Sequence, residues 1–281
     1  MPDADCGLFL FLKQATSGYR PMNCKFSLIF FILAAFFLSG CATEYNLATQ
    51  KEEWIYYSTD KEINIGKSIA REVEKKYKFV DDPLVVNRVE EIGKKVSAVS
   101  DRKDVDYHFY ALDDKEVNAV SLPGGFVYIF KGLIDKVQSD DELACVIGHE
   151  VGHIVARHSI KKLQALMGYS LVRILLAQAG SGELGTGADV AFDQILLAYS
   201  REDELLADQL STRYAELAGF NPYAMVTFLE RLREVDKYKI KPLSYAKTHP
   251  YIPDRIRIVK QELGERVSFE DYINIEQQPH K

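Results

Sequence analysis

The stretch that most constrains this 281-residue chain is His149-Glu150-Val151-Gly152-His153. On an α-helix a four-residue step advances about 400°, so two histidines at this spacing share one face within roughly 40°. They can bind a single metal ion, and Glu150 beside them can reach a water on that metal. Ser139 and Glu142 form a capping box that opens the helix, and Leu143, Val146, Ile147, Val151 and Ile154 make it largely buried. Gly148 and Gly152 each cost about 1 kcal/mol against Ala in a helix interior, which close packing of another element on that face would justify. A buried histidine or glutamate without partners is costly, and a metal removes that cost. Cys145 fails as a further ligand because the rise from it to His153 is about 12 Å, so it reads as a core thiol. His158 lies about 180° round a continuing helix from His149, and is expected at the surface, facing away from the metal.

Net charge −6 and the lack of a basic stripe interleaved with aromatics give no reason to expect a nucleic-acid partner. The N-terminus carries a different signal. Lys25, the mostly apolar run Phe26–Leu38 and then Ser39-Gly40-Cys41 have the order of a secretory signal. The run is shorter than the roughly 20 residues a transmembrane helix needs. Leu38-Ser39-Gly40-Cys41 resembles a bacterial lipoprotein signal, in which Cys41 is lipidated and becomes the mature N-terminus. Residues 1–40 are therefore expected to be an extension plus signal, with Met22 as the expected start. Cleavage leaves Cys41 and Cys145, so lipidation removes any intramolecular disulfide. Ala42 after the lipidated position resembles the outer-membrane sorting pattern of diderm bacteria.

Residues 41–59 are largely polar and read as a tether into a domain spanning 60–264, with 265–281 as a C-terminal tail. Thr59 with Glu62 reads as a capping box, followed by Ile65, Ile69, Val73 and Tyr77 at helical spacing. Asp82-Pro83 starts a second helix whose stripe is Val85, Val89, Ile92, Val96 and Val99. Val105, Tyr107, Phe109 and Ala111 alternate with polar neighbours, as a half-buried strand does. Asn118-Ala119-Val120-Ser121-Leu122-Pro123-Gly124-Gly125 leads into another strand, Phe126–Phe130. Pro-Gly-Gly there fits a hairpin connection, or an exposed edge where an extended peptide pairs its backbone. Residues 179–187 form a glycine-rich loop, either a gate or a plain connection. The last helices run from Asn221-Pro222 to about Val235 and from about Pro253 to Leu263.

Catalytic zinc usually takes three protein ligands. Ser200 with Asp203 reads as a capping box, and Glu204 and Asp208 then share one helical face beside small Ala207. Two such acids fit a solvated face or a helix packed against the metal helix. H-E-x-x-H followed by Arg201-x-x-Glu204-x-x-Ala207-Asp208 resembles the gluzincin metallopeptidases of the HtpX and CAAX-prenyl-endopeptidase family, particularly the small periplasmic lipoprotein members. The segment 118–125 and Thr248-His249-Pro250 with Arg255-Ile256 are similar to segments of that group, so the resemblance runs from about 60 to 263.

The resemblance implies an α+β, mainly helical zincin-like peptidase domain with a small sheet whose edge strand faces the cleft. It implies one Zn2+ per chain on His149, His153 and Glu204, Glu150 as general base, and Asp208 orienting a ligand histidine. It makes 118–130 the substrate-holding edge strand, with Asn118, Ala119, Gly124 and Gly125 as contacts. His249 has three readings: oxyanion stabiliser, cap on a resting zinc, or turn residue before Pro250. Arg255 either pairs with a carboxylate near the site or supports its loop. The expected function is zinc-dependent cleavage of misfolded or misassembled envelope proteins, on the periplasmic face of the outer membrane, with the lipid at Cys41 as membrane attachment. The alternative is a non-proteolytic zinc-containing chaperone or assembly factor for outer-membrane proteins. No oligomeric state follows from the sequence.

Overall fold

The computed structural model describes residues 43–176, 192–237 and 244–265. The signal segment with Cys41, the glycine-rich loop at 179–187 and nearly all of the tail lie outside these residues. Among the described residues, no helix is long and apolar enough to cross a membrane.

The chain enters through β1 (Thr43–Asn46) and β2 (Lys51–Trp54), which pair antiparallel. The stretch read as a tether is therefore a hairpin at this point. It is held to the body by polar contacts: Asn46 Nδ2 donates to Ala156 O at 3.0 Å, and Lys161 pairs with Glu53 at 2.9 Å. Helix α1 (Thr59–Lys76) and α2 (Pro83–Ala98) follow where the two apolar stripes place them. Asp82 caps α2 as expected, its side chain accepting from Leu84 N. The cap of α1 differs. Ser58 is the N-cap, and Glu62, which reads as a capping residue, is buried in an ion pair with Arg102 at 2.9 Å.

Three strands form the central sheet: β3 (His108–Leu112), β4 (Ala119–Leu122) and β5 (Phe126–Phe130), in the order β3-β5-β4. β5 runs parallel to β3 and antiparallel to β4. The segment 118–130 is thus two strands rather than one edge strand, and only β4 lies at an edge. Side chains alternate between the two faces of a strand, and the core divides accordingly. Phe109, Ala111, Ala119, Val127 and Ile129 join the cluster built with α2 and the helices after the sheet. Leu112, Val120, Leu122, Tyr128 and Phe130 join a second cluster with Ile69, Ala70 and Val73 of α1. β4 and β5, covered on both faces, are buried along their whole length, whereas β3 leaves His108 exposed and Tyr110 half-buried.

After the short α3 (Lys131–Ile134) comes α4 (Asp140–Val155), whose N-cap Ser139 accepts from Glu142 N at 3.2 Å. α4 contains the histidine pair and runs through the core; every residue from Leu143 to Ile147, and Val151 as well, is fully buried. Then follow α5 (His158–Leu176), α6 (Arg201–Leu217), α7 (Ala224–Lys237), α8 (Ser244–Thr248) and α9 (Ile252–Glu262). The glycines of α4 face α6: a Cβ on Gly148 would lie 3.1 Å from Ser211 Oγ, and one on Gly152 would lie 3.0 Å from Ala207 O. Without side chains there, the two helices approach closely enough for α6 to bring its acids onto the histidine face.

A tighter approach holds the turn between β4 and β5. A Cβ on Gly66 of α1 would collide with the backbone carbonyl of Pro123. Gly66→Ala gains about 1 kcal/mol of helix propensity. It is nevertheless expected to destabilise by about 1–3 kcal/mol through overpacking against backbone that cannot yield. Thermal melting checks this, and a raised melting temperature would contradict it.

Candidate active site

Four side chains from three elements converge beside β4. The ligand atoms of His149, His153, Glu204 and His249 all lie within 4.8 Å of one another. α4 supplies the first two, and their Nε2 atoms are 3.0 Å apart. Glu204 comes from the first turn of α6, where a complete capping box of Ser200 and Asp203 fixes the helix start. Its carboxylate lies 3.4 Å from His149 Nε2 and 3.5 Å from His153 Nε2. His249 follows α8; its Nδ1 is 3.1 Å from Glu204 Oε1 and 3.2 Å from His149 Nε2. The last reading of His249, a plain turn residue, does not fit this position, because its ring is 1% exposed and inside the cluster.

Beneath this group sits a buried ion network. Asp208, one turn after Glu204, accepts at 2.8 Å from His149 Nδ1. Arg255 of α9 donates to both oxygens of Asp208, at 2.7 and 2.8 Å, and lies 3.2 Å from Glu204 Oε2. Arg255 therefore pairs with carboxylates of the site, and also donates to His249 O at 3.3 Å. Burial raises the Glu204 carboxyl, but the neighbouring His249 and Arg255, with hydrogen bonds from His149 and His153, hold it well below the usual carboxylate range. Burial likewise raises Asp208, but Arg255 and His149 outweigh it and hold the group below its ordinary value. Burial and Arg255 push His149 down, yet Asp208 and Glu204 prevail and hold its pKa up at about 9. His153 has no such carboxylate on its far nitrogen, and burial, opposed only by Glu204, takes it down to about 3.

The residues fit a divalent metal by two observations. Glu150 is 0% exposed and neither of its carboxylate oxygens has a hydrogen-bond partner in the protein. Such a group is rare in a native interior unless a ligand or water occupies the adjoining space. Donor geometry agrees: the imidazole nitrogens and the Glu204 carboxylate offer ligand atoms that lie within 4.8 Å of one another. Imidazole nitrogens with one carboxylate form a donor set characteristic of zinc.

The other residues singled out in the sequence lie outside the ligand group. Cys145 is a fully buried free thiol, pushed up to about 12 by burial, with Sγ near the carbonyls of Asn221 and Pro222. Ala119 lies at the site, its carbonyl 3.4 Å from His249 Nε2. Asn118 braces it: Oδ1 accepts from Ala119 N and from Thr248 Oγ1, both at 3.0 Å, linking β4 to the end of α8. Gly124 and Gly125 have φ of +76° and +104° and form the tight β4–β5 turn. Their nearest neighbours are Ile63 of α1 and Asp106 before β3, so turn geometry accounts for both glycines.

His158 is not at the surface. It is 3% exposed, with Nδ1 2.8 Å from His153 Nδ1. The expectation assumes a continuous helix, but α4 ends at Val155 and Arg157 adopts φ +58°, which turns the chain back. Tyr199 is a further residue of the site that sequence reasoning misses. Its ring stacks on His153 at 4.1 Å between centroids and 20° between planes. No periodic signal marks either residue, although both adjoin motifs that the sequence makes visible.

Comparison with known proteins agrees with this geometry. The family model described as Peptidase family M48 matches residues 83–263, which contain the ligand group and the ion network beneath it. The beta-barrel assembly-enhancing protease of Yersinia pestis is 26% identical over 208 residues, covering 70% of this chain and 42% of that protein. The mitochondrial metalloendopeptidase OMA1 of Schizosaccharomyces pombe is 31% identical over 229 residues, covering 79% and 67%. The metalloprotease LoiP of Escherichia coli is 28% identical over 164 residues, covering 57% and 63%. The chain thus spans less than half the length of the first of these relatives. From the match over most of its length, this chain belongs to peptidase family M48.

Proposed function

We propose that this chain is a zinc-dependent endopeptidase acting on misfolded or misassembled envelope proteins, attached to the periplasmic face of the outer membrane through lipid on Cys41. The observation that carries the chemistry is the convergence of His149, His153 and Glu204 next to a buried Glu150 whose carboxylate accepts no hydrogen bond within the protein. In this reading His149 Nε2, His153 Nε2 and the Glu204 carboxylate hold one metal. Zinc, when bound, lowers the pKa of a water from about 16 to about 7 and polarises the scissile carbonyl. Glu150 accepts a proton from the attacking water and delivers it to the amide nitrogen as the C–N bond breaks. Asp208 accepts from His149 Nδ1 and so keeps Nε2 free for the metal. Arg255 holds Asp208 in place from below. The relatives named as proteases, one of them for β-barrel assembly, support envelope proteins as the substrate class.

β4 is the strand on which substrate would lie. On its outer edge Ala119 O faces His249 Nε2, and Ser121 O accepts from Ser159 Oγ at 3.0 Å. An extended peptide pairing with this edge would replace both contacts. His249 Nε2 lies 3.4 Å from both Ala119 O on this edge and Glu150 Oε1, which favours its reading as a cap in a resting conformation. His249→Ala is then expected to raise the initial rate on an unfolded substrate several-fold. A fall of about 10²-fold or more would assign His249 to oxyanion stabilisation instead.

Metal removal tests the function directly. The purified protein, assayed on an unfolded reporter protein, should lose cleavage after chelation and regain it with zinc. Cleavage that persists in the metal-free protein contradicts the proposal. The closed site favours one other reading, a non-proteolytic chaperone. In that case the zinc-loaded protein would suppress aggregation of unfolded substrate but yield no fragments.

A further inference from the structure

We propose that His158 is a positioning residue for His153, tying that ring to the start of the helix that carries Glu204. The proposal rests on the metal reading above and concerns a residue to which that reading gives no part. A residue five places beyond His153 on an unbroken helix would lie about 140° away around the axis. The left-handed Arg157, at φ +58°, ends that register and returns the next residue beneath His153. The two rings sit 5.0 Å apart at 69°, with Nδ1 to Nδ1 at 2.8 Å. On its other side His158 Nε2 lies 3.1 Å from Asp203 Oδ1.

The partners fix where each proton sits. His153 Nε2 points into the ligand group, 3.0 Å from His149 Nε2, so its lone pair is the one available to a metal. A neutral imidazole has one N–H, which for His153 must then be on Nδ1. Nδ1–H donates to His158 Nδ1, which can accept only if the His158 proton is on Nε2. From there it donates to the Asp203 carboxylate. No nitrogen is asked to fill two roles.

Asp203 closes the connection. Its Oδ2 accepts from Ser200 N at 3.3 Å within the capping box of α6, while Oδ1 faces His158. The next residue along the chain is Glu204. One carboxylate thus fixes both the first turn of α6 and, through His158, the ring of His153. The two helices that supply ligands are locked to each other beside the metal position. His149 has an equivalent anchor in Asp208. Without His158, His153 would be left with an unpartnered Nδ1–H, although its Nε2 side would keep the ligand group and its face the stacked Tyr199 ring.

Two measurements test this, the first a chelator competition that yields the zinc dissociation constant. His158→Phe keeps a ring but removes both hydrogen bonds, and should weaken zinc binding about 10–100-fold. His158→Gln, whose Oε1 can accept from His153 and whose amide can donate to Asp203, should recover most of that loss. Melting of the metal-free variants separates this from a general loss of fold. The second uses the unaltered protein loaded with zinc: histidine 15N–1H correlation spectra should show His153 protonated on Nδ1 and His158 on Nε2. Unchanged zinc affinity in His158→Phe, or the opposite tautomer at His158, overturns the role of His158 alone. A wild-type protein with no zinc affinity overturns it together with the metal reading.

Discussion

Replacing Glu150 by Gln is expected to lower peptide cleavage by about 10²–10⁴-fold, the usual contribution of a positioned proton acceptor, while zinc stays bound. Gln has nearly the same shape, so packing around this fully buried side chain should survive. Glu150 follows His149 on α4 and is outside the set of ligand atoms that lie within 4.8 Å of one another. On the proposed mechanism, this change removes the proton acceptor and leaves the proposed ligand atoms in place. Its carboxylate is 3.4 Å from His249 Nε2, and no hydrogen bond within the protein would be broken. Turnover on an unfolded reporter, together with metal analysis of the same preparation, checks both halves. A variant that keeps its turnover would remove Glu150 from the chemistry.

The largest expected effect on stability is at Arg255. The side chain is 0% exposed, donates twice to Asp208, and lies 3.2 Å from Glu204 Oε2. The pairing with Asp208 and Glu204, together with contact to Tyr245, holds its own pKa well above the usual arginine value despite burial. Arg255→Met fills much of the volume but leaves two buried carboxylates without their cation. Breaking a buried pair from one side costs about 3–5 kcal/mol. Loss of that order is expected in denaturant unfolding of the metal-free protein. With zinc bound the loss should shrink, because the cation partly neutralises Glu204. Arg255→Lys should fall between, since an ammonium keeps the charge but cannot form the bidentate pair with Asp208. A change under about 1 kcal/mol in Arg255→Met would show that the network contributes little to the fold.

Much of this arrangement is legible in the chain, and the reasons differ by residue. His149 and His153 are visible because a local spacing maps directly onto one helix face. Gly148 and Gly152 point to a close helix, and α6 is that helix. Glu204 and Asp208 can be placed on one face by periodicity, but their own segment fits a solvated surface equally well. The partners that decide the matter lie 45 to 59 residues away in the chain. Glu62 misleads for the same reason. Three residues after Thr59 an acid looks like a cap, whereas its partners are Arg102 and Arg157, both distant in sequence. The β1–β2 hairpin passes for a tether because each strand has only four residues and exposes much of its surface. His158 is hidden by a single backbone angle at Arg157, a non-glycine residue whose left-handed conformation no pattern of apolar residues records.

These residues act together only if one metal lies among them. Crystals of the zinc-loaded protein measured on both sides of the zinc absorption edge locate that ion directly. The account predicts a single anomalous peak per chain between His149 Nε2, His153 Nε2 and the Glu204 carboxylate, within reach of Glu150. A peak elsewhere, or none in crystals of protein that is cleaving its substrate, would contradict it.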